Sequence, residues 1–374
     1  MQGYRRCNRC VMDNHGDHLI TFDKYGYCNY CTEAIARTNY EYFPNKEGQE
    51  KLNNLIQQIK NAGKSKKYDC LMGISGGLDS SYLAMLGSKW GLRILAVHID
   101  DGFDAPVAIN NIEKLCDKAN LDLQIIKPDS EQFNDLTCSY IRAKVPNLAI
   151  PQDNILFAFI YNLMKKYHIS YFLSGGNFSL ESVLQKGNTH TSLDVKNIKA
   201  IHDRFGKQPI DKLYFISENK RIINRFFYGI KTVKPLNYID YNKAKAITEL
   251  EEFCDFNYYE AKHLENTLTK VIQLYWLYHK FGVDKRKSHF SSLIVSGQMT
   301  REEALIELGK PLYNEAQMEA DIENVLYKLN ITRDEFEGLI KGENCQHTDY
   351  SYSTNSILNI VRKFRIIRGL KSKL

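Results

Sequence analysis

The chain has 374 residues, of which 43% are hydrophobic and 25% are charged. These ordinary values exclude a disordered or fibrous protein, and the length predicts two or three domains. The most apolar stretch, residues 155–164, is much shorter than the roughly 18 apolar residues that a membrane span requires. We therefore expect no membrane span. Because no apolar segment follows Arg5 and Arg6, we also expect no secretory signal and a cytoplasmic location.

Residues 1–45 predict a small metal-binding module. Two CxxC pairs, separated by seventeen residues, supply four thiols: Cys7, Cys10, Cys28 and Cys31. This spacing is typical of a tetrahedral site in which four thiolates hold a structural Zn²⁺. An iron–sulfur cluster is the alternative. His15 and His18 lie between the pairs and are interpreted as ordinary loop residues, because four thiolates already complete the shell.

A doubly wound parallel sheet is predicted for residues 46–250. After a helix near 47–60, short apolar strands at 68–74, 93–99, 122–126 and 171–173 alternate with helices at 80–90, 106–119 and 153–167. This alternation is typical of α/β domains. Ligands of such sheets bind at the carboxyl ends of the strands, so we expect the functional loops after residues 74, 99 and 173.

Residues 251–374 predict a helical C-terminal domain. Helical patterns cover 258–278, 301–308 and 314–329, and Thr300 with Glu303 has the spacing of a capping box. The domain ends in a basic tail whose six cations equal the formal net charge of +6: Arg362, Lys363, Arg365, Arg368, Lys371 and Lys373. Such a tail suits an anionic partner or surface, or is a solvated end.

Five further cysteines are isolated in the sequence: Cys70, Cys116, Cys138, Cys254 and Cys345. We expect buried thiols at these positions rather than disulfides or catalytic nucleophiles.

The strongest motif is a glycine-rich loop between the first strand and the next helix, consisting of Ser75, Gly76, Gly77, Leu78, Asp79 and Ser80. Two glycines let backbone N–H groups approach phosphate oxygens, and the helix N-terminus adds partial positive charge. The loop has no lysine, unlike a Walker loop, and Asp79 is instead a hard oxygen ligand suited to Mg²⁺. A tight turn in which Ser80 is an ordinary N-cap is the alternative.

Two other loops carry candidate site residues. After the second strand, Asp101 and Gly102 are candidates for lining the nucleotide site, the alternative being an aspartate that caps the helix at Pro106. After the fourth strand come candidate ligands of nucleotide, metal or substrate, with a structural turn as the alternative: Gly175, Gly176, Asn177 and Glu181. Asp153 precedes an apolar helix and is expected to be an N-cap rather than a catalytic residue.

Residues 75–80 resemble the SGGxDS motif of the ATP pyrophosphatase (PP-loop) superfamily. The resemblance implies an adenine nucleotide alpha hydrolase-like fold and binding of ATP with Mg²⁺. It also implies that an amide or carbonyl oxygen is activated with AMP, which a nitrogen or sulfur nucleophile then displaces. On this resemblance Ser75, Asp79 and Glu181 are the catalytic candidates, and the glycines of both loops contact ATP.

Further motifs resemble the N-acetyl sugar amidotransferases of bacterial surface-polysaccharide and flagellin-glycan pathways, the WbpG and PseA family. They are CVMD at 10–13, DDGFDAPVAINNIEKL at 100–115, SGGN at 174–177 and GVDKRKSHFSSLIVSGQMTREEAL at 282–305. This resemblance implies that an acetamido group of a nucleotide sugar becomes an acetamidino group. The last motif contains the candidates for gripping the sugar substrate: Lys285, Arg286, His289 and Arg301. For the segment around Lys285, a solvated basic turn is the alternative.

The same resemblance implies that ammonia comes from separate glutaminase and cyclase-like (HisH/HisF-like) partners. The chain itself has no recognisable glutaminase nucleophile, which also points to an external ammonia supply. Cys70 and Cys254 lack the context of a nucleophile elbow, and Met1 is not followed by cysteine.

Two other functions compete. A tRNA-modifying thiolase would want a further cysteine pair near the ATP loop, which Cys138 alone does not supply. It would also want a basic face, whereas residues 1–361 are formally neutral, so we expect no nucleic-acid partner. The third hypothesis is an ATP sensor with a structural zinc site, which binds ATP and releases it unchanged. Asp79 argues against it, because a protein that only binds ATP has less need of a metal ligand at the phosphates.

Overall fold

A five-stranded parallel sheet lies at the centre of the computed structural model, which describes residues 3–258 and 265–354. The strand order is β3-β2-β1-β4-β5. The strands are β1 (Cys70–Gly73), β2 (Ile94–Ile99), β3 (Asp122–Ile126), β4 (Tyr171–Leu173) and β5 (Lys231–Val233). The order reverses direction between β1 and β4, which is the switch point where a doubly wound sheet binds its ligand. The predicted fold class is therefore confirmed.

Ten α-helices precede residue 258 in the described part of the chain. They are α1 (Asn29–Glu41), α2 (Lys46–Gly63), α3 (Leu78–Lys89), α4 (Pro106–Ala119), α5 (Ser130–Arg142), α6 (Ile150–Lys166), α7 (Phe178–Glu181), α8 (Val195–Phe205), α9 (Glu218–Phe227) and α10 (Lys243–Cys254).

Side chains of each strand alternate between two apolar cores. Met72 of β1 packs in the core formed with α2, α3, α4 and α10, whereas Leu71 packs in the core formed with α6. Ala96 and Val97 of β2 divide between the same two cores. Because both faces of the sheet are covered, only its strand ends remain for ligand binding.

Helices dominate the chain after residue 265, as predicted. They are α11 (Thr267–Val271), a π-helical segment (Ile272–Trp276), α12 (Leu277–Phe281), α13 (Arg286–Val295), α14 (Arg301–Leu308), α15 (Glu315–Leu329) and α16 (Arg333–Lys341). Several of them pack with α5 and α8 around Trp276, whose indole N–H donates to the carbonyl of Val145 at 2.9 Å. None of the helices in the described part of the chain combines the length and apolar character that crossing a bilayer takes.

The sequence patterns missed α1, α5, α8, α9, α10, α13, α16 and the edge strand β5. Residues 1–45 show no helical or strand period long enough to build a core, yet α1 begins directly after Cys28, whose sulfur accepts a hydrogen bond from the backbone N–H of Cys31. Most residues of α1 are polar, so its few buried positions gave too weak a periodic signal.

Two predicted helix boundaries differ from the structure. The helix predicted at 258–278 begins within the described residues at Thr267, because the Asn266 side chain caps it by accepting from the N–H of Thr269. The Asp153 side chain lies in the first turn of α6, three residues past its start, so the N-cap assignment was wrong. The basic tail lies outside the described residues.

Burial of the isolated thiols is confirmed for four of the five: Cys70, Cys116, Cys138 and Cys254. Cys345 is half-buried, and all five are free thiols.

Candidate active site

The glycine-rich loop joins β1 to α3 at the switch point of the sheet. Gly76 has φ +74°, and a Cβ there would lie 2.4 Å from the carbonyl oxygen of Ala108. Both the left-handed backbone and this close approach require glycine. Gly77 is the N-cap residue of α3 and supplies no side-chain cap. The first N–H groups of α3 are therefore available to an anion, and the alternative that Ser80 is an ordinary N-cap was wrong.

The two serine hydroxyls of the loop lie together. The Ser75 and Ser80 Oγ atoms are 3.3 Å apart, and the N–H of Gly77 donates to Ser75 Oγ at 3.3 Å. Ser75 Oγ in turn donates to Oε1 of Glu265 at 3.1 Å. The loop thus holds a carboxylate from the C-terminal part of the chain beside its hydroxyl groups.

The loop after β4 packs directly against the first loop. A Cβ on Gly175 would lie 3.1 Å from the backbone nitrogen of Ser80. Asn177 is buried and caps α7, since its Oδ1 accepts from the N–H of Leu180 at 2.9 Å. Its side chain therefore shapes the loop, while Glu181 at the end of α7 lines the cleft.

Asp79 is held by a buried tyrosine. The Tyr241 hydroxyl donates a short hydrogen bond to Oδ1 of Asp79. Burial, and then the Asp79 carboxylate, raise the pKa of Tyr241 well above its usual value, so its proton stays in this bond. Lys243, two residues further on, lines the same cleft. Burial lowers the pKa of Lys243, although the charge of Asp79 opposes this shift.

A buried histidine fixes the end of β1 to the loop after β2. Nδ1 of His98 lies 2.9 Å from the carbonyl oxygen of Ile74, and its Nε2 lies 2.9 Å from Oδ2 of Asp104. Both partners accept hydrogen bonds, so both ring nitrogens carry a proton when the two bonds are made. Burial alone lowers the pKa of His98, but the Asp104 carboxylate outweighs it and raises the pKa. We infer an imidazolium–carboxylate pair beside the glycine-rich loop.

Asp101 lies behind the cleft wall. It accepts from the N–H of Phe103 at 3.0 Å, from Asn266 at 2.9 Å and, by a short bond, from Gln152. Asn266 and Gln152 line the cleft, so Asp101 positions two lining side chains. Burial, and then the nearby Asp104, raise the pKa of Asp101 to about 6.

The structure does not bring Gly102 into the cleft wall. It has φ +86°, and its carbonyl accepts from Nζ of Lys328 at 2.6 Å.

Two adjoining cavities meet at the carboxyl ends of the strands. The first, of about 550 Å³, is lined by the phosphate loop, the loop after β4 and Asp153. The second, of about 1340 Å³, extends toward α13 and α14. Six residues line both cavities: Leu180, Glu181, Lys243, Tyr258, Gln273 and His289. A ligand group in one cavity is therefore adjacent to a group bound in the other.

Cations predominate among the charged side chains of the second cavity. They are Lys243, Lys270, Lys285, Arg286 and Lys310, against the acidic Glu181 and Glu307. Three of these cations are in ion pairs: Lys270 with Asp321 at 2.6 Å, Arg286 with Asp284 at 2.8 Å and Lys310 with Glu307 at 2.6 Å. The excess of positive charge that an anionic ligand would meet is therefore small.

The four predicted substrate residues have different positions. His289 lines both cavities, and Lys285 lines the second. Arg286 borders the second cavity, but its guanidinium is tied to Asp284 at 2.8 Å. Arg301 lies at the cysteine module, where Nη2 donates to the carbonyl of Cys7 at 3.1 Å and Nε to that of Cys10 at 3.2 Å. The structure does not bring Arg301 to the cavities.

The four N-terminal thiols converge on one point. The ligand atoms of Cys7, Cys10, Cys28 and Cys31 all lie within 4.8 Å of one another, and all four residues are buried. Backbone N–H groups point at the sulfur atoms, as from Cys28 to Cys7 Sγ at 3.2 Å. Buried thiols in this arrangement fit the four-thiolate shell of a tetrahedral metal ion.

Several cleft residues were missed in the sequence. Tyr241, Lys243, Glu265 and Asn266 belong to no motif and lie far along the chain from the loop that they meet. His98 stands next to the aspartates after β2, but a histidine within a buried apolar strand gave no signal of its own.

Fold and cleft together define a doubly wound α/β protein with a glycine-rich SGGxDS loop at its switch point and a four-thiol module. Residues 265–365 match the family described as the LPS biosynthesis protein WbpG-like, C-terminal domain. The resemblance predicted from the sequence is thus confirmed for this part of the chain. The comparison with curated proteins found no match.

The chain is also similar to solved synthetase structures. An NMN synthetase from Francisella tularensis is 13% identical, with a TM-score of 0.36 over 77% of this chain and 95% of that chain. An NH3-dependent NAD synthetase from Campylobacter jejuni, in complex with the nitrate ion, is 17% identical, with a TM-score of 0.29 over 56% and 93% of the two chains. An NAD+ synthetase from Burkholderia pseudomallei is 14% identical, with a TM-score of 0.30 over 63% and 96%.

Proposed function

We propose that the protein is an AMP-forming, ATP-dependent amidotransferase that converts an acetamido group of a nucleotide sugar to an acetamidino group. The observation that supports this most is the pair of adjoining cavities, one at the glycine-rich loop and one that extends from it past Lys243 and Lys285. ATP occupies the first cavity in this proposal, and the anionic nucleotide sugar occupies the second. The acetamido oxygen then reaches the α-phosphate at the boundary.

The reaction has two steps. The acetamido oxygen attacks the α-phosphorus, pyrophosphate leaves, and the amide nitrogen loses its proton, which gives an O-adenylyl imidate. Ammonia then adds to the imidate carbon, and AMP departs with the original oxygen. An amide carbon is a poor electrophile, and the adenylate makes its oxygen a good leaving group.

Three charged residues of the cleft, Asp79, Glu181 and Lys243, have roles in the proposed chemistry. The N–H groups of the loop and the hydroxyls of Ser75 and Ser80 bind the phosphates. Asp79 and Glu181 are the carboxylates that would hold Mg²⁺, which supplies charge neutralisation to the leaving pyrophosphate. Lys243, at the boundary of the cavities, offsets the negative charge that develops on the α-phosphate.

The thiol module has a structural role in this proposal. Four thiolates leave no open position for catalysis, and we propose that they hold one Zn²⁺. Metal analysis should give close to one zinc per chain, and removal of the metal should lower the unfolding temperature. A metal-free preparation that folds and melts normally would argue against this role.

A thiolase role lacks support in the site. Within the described residues no cysteine lines either cavity. Cys138 lies in an apolar core, where its sulfur donates to the carbonyl of Leu329 at 3.1 Å.

Mass spectrometry tests the proposed reaction. A panel of acetamido nucleotide sugars is incubated with the protein, ATP, Mg²⁺ and ammonium. We expect one of them to yield a product about one mass unit lighter, because NH replaces oxygen. The Lys243→Met variant should form this product at least about tenfold more slowly, since a charge-assisted contact is lost. Pyrophosphate release that responds to unmodified tRNA and a sulfur donor, with no modified sugar, would contradict the proposal.

A further inference from the structure

Helix α9 ends in an unusually exposed aromatic surface. Phe226 is 77% exposed, Phe227 81% and Tyr228 55%, and Ile223 one turn earlier is 43% exposed. A contiguous exposed apolar patch of this kind marks an interaction site. Isolated exposed apolar residues are common in proteins, but three consecutive aromatic residues are not.

Cations surround the aromatic residues. Lys220, Arg221 and Arg225 are exposed on α9, whose one acidic residue is Glu218. Nζ of Lys165, in the last turn of α6, lies 5.7 Å from the centroid of the Tyr228 ring. We call this surface the aromatic edge, and its members are Lys165, Lys220, Arg221, Ile223, Arg225, Phe226, Phe227, Tyr228 and the exposed Lys231 of β5.

The aromatic edge lies away from the cleft. Tyr228 precedes β5 by three residues, and Lys165 near the end of α6 precedes β4, so both lie at the amino ends of the strands. The two cavities open at the carboxyl ends. A partner bound at the aromatic edge therefore leaves the cleft free, and the sheet separates it from the point where ammonia must react.

A second copy of the chain does not suit this surface. In a two-fold dimer the same patch faces itself, so the cations of one aromatic edge would face those of the other. The complementary partner is instead anionic and accepts aromatic side chains. A helix with Lys and Arg beside exposed Phe is the type that lies in the headgroup region of an anionic bilayer.

We propose that the aromatic edge docks the protein on an anionic phospholipid bilayer. Phe226 and Phe227 enter the boundary between headgroups and acyl chains, and Arg221 and Arg225 contact lipid phosphates. The strand ends that carry the cleft then face the solution, where soluble substrate and ATP arrive.

Vesicle sedimentation with the full chain tests this docking. We expect binding to vesicles of phosphatidylcholine mixed with phosphatidylglycerol, little binding to pure phosphatidylcholine, and weaker binding at high salt. The double variant Arg221→Gln, Arg225→Gln should bind about 30-fold more weakly, from the loss of two cations at the surface. The double variant Phe226→Ala, Phe227→Ala should bind about tenfold more weakly, because the apolar contact with the acyl chains is lost.

The control is Tyr327→Ala on α15, which removes an aromatic side chain that is 87% exposed outside the aromatic edge. It should bind vesicles as the unmodified chain does, and circular dichroism should show that all variants remain folded. Because every variant keeps the basic tail, a loss of binding identifies α9. The proposal is overturned if anionic vesicles are not bound, if both double variants bind unchanged, or if the Phe variant instead abolishes a dimer.

Discussion

Asp79 of the glycine-rich loop is held by a side chain that is distant in the sequence. Its carboxylate accepts from the hydroxyl of Tyr241, 162 residues further along the chain. The Tyr82 ring packs against that of Tyr241, with centroids 5.5 Å apart, and its own hydroxyl donates to Glu249 at 3.0 Å. The chain thus offers two neighbouring tyrosine–carboxylate bonds, of which only one touches the phosphate loop.

Tyr241→Phe should slow pyrophosphate release about tenfold to hundredfold, because a hydrogen bond to a charged carboxylate is lost where metal and phosphate bind. Steady-state kinetics with saturating ATP measures the effect. Tyr82→Phe is the matched control, which should lose stability to a similar extent and keep its turnover. Equal loss of turnover in both variants would show that the Asp79 contact has no special role.

The His98–Asp104 pair predicts a pH dependence of stability. The pKa of His98 is raised in the folded protein, so the pair stabilises the fold fully below the unfolded pKa of about 6.5. This contribution is lost as pH rises through the folded pKa. In Asp104→Asn the amide donates to a neutral His98, so the stability advantage of the unmodified chain over this variant should shrink above pH ~6.5.

Urea unfolding from pH ~6 to ~9 measures this difference. Asp100→Asn is the comparison. Asp100 pairs with Lys127 at 2.8 Å, and its charge is the smallest of the named influences that raise the pKa of His98. That variant should retain most of the pH dependence. The imidazolium pair is contradicted if the free energies of unfolding of Asp104→Asn and the unmodified chain differ by the same amount at every pH in this range.

Helix α13 connects the thiol module to the cavities. On one side, Nζ of Lys287 pairs with Asp13 at 2.7 Å, and Ser291 accepts from the N–H of Val11 at 3.3 Å. On the other side, Lys285 and His289 reach the cavities. The thiol module therefore braces the wall of the proposed sugar site through this helix.

Arg301→Gln tests whether that residue belongs to the module or to the substrate. Arg301 contacts the carbonyls of Cys7 and Cys10. The variant should therefore have a free energy of unfolding about 1–3 kcal/mol lower than the unmodified chain, and it should release metal to weaker chelators. Its KM for the sugar should not change.

Lys285→Gln is the matched comparison from the same motif, and it should raise KM with little effect on unfolding. A raised KM for Arg301→Gln at unchanged stability would instead support the substrate role that the sequence predicted.

At the scale of elements, periodicity predicted the first four strands because each is a short apolar run bounded by turn residues. The edge strand β5 has three residues and is largely exposed, so it carried no such run. Helix α5 was missed although its side chains are mostly buried, because polar residues such as Gln132, Thr137 and Ser139 occupy its buried face. Gln132 is satisfied by tertiary contacts with Asp211 and Lys212. Thr137 and Ser139 instead donate to carbonyls of the preceding turn of the same helix. An apolar periodicity contains neither kind of bond.

At the scale of the whole molecule, some residues of the candidate site could be predicted from the sequence and others could not. Motifs located the phosphate loop, the loop after β4 and the four thiols, because local chain geometry demands those residue types. Glu265 meets Ser75 across 190 residues of chain, and such pairs follow from the packing of the helical part on the sheet. The sequence suggested Arg301 as a substrate ligand because it belongs to the last motif. The structure places it elsewhere, since a motif does not show which face of a helix meets the cavity.

The whole chain should use free ammonium but not glutamine. Among the described residues, the buried cysteines outside the thiol module lie in apolar cores, so no cysteine nucleophile for glutamine hydrolysis lies at the cleft. Turnover of the purified chain with each nitrogen source measures this, with and without an added glutaminase. Glutamine-dependent turnover by the chain alone would refute an external ammonia supply.

The products of ATP test the central claim most directly. Turnover with α-phosphate-labelled ATP, separated by chromatography, should give AMP and pyrophosphate in equal amounts, and Asp79→Ala should abolish both. Formation of ADP and orthophosphate would contradict the assignment of the glycine-rich loop as the place where the bond between the α and β phosphates breaks.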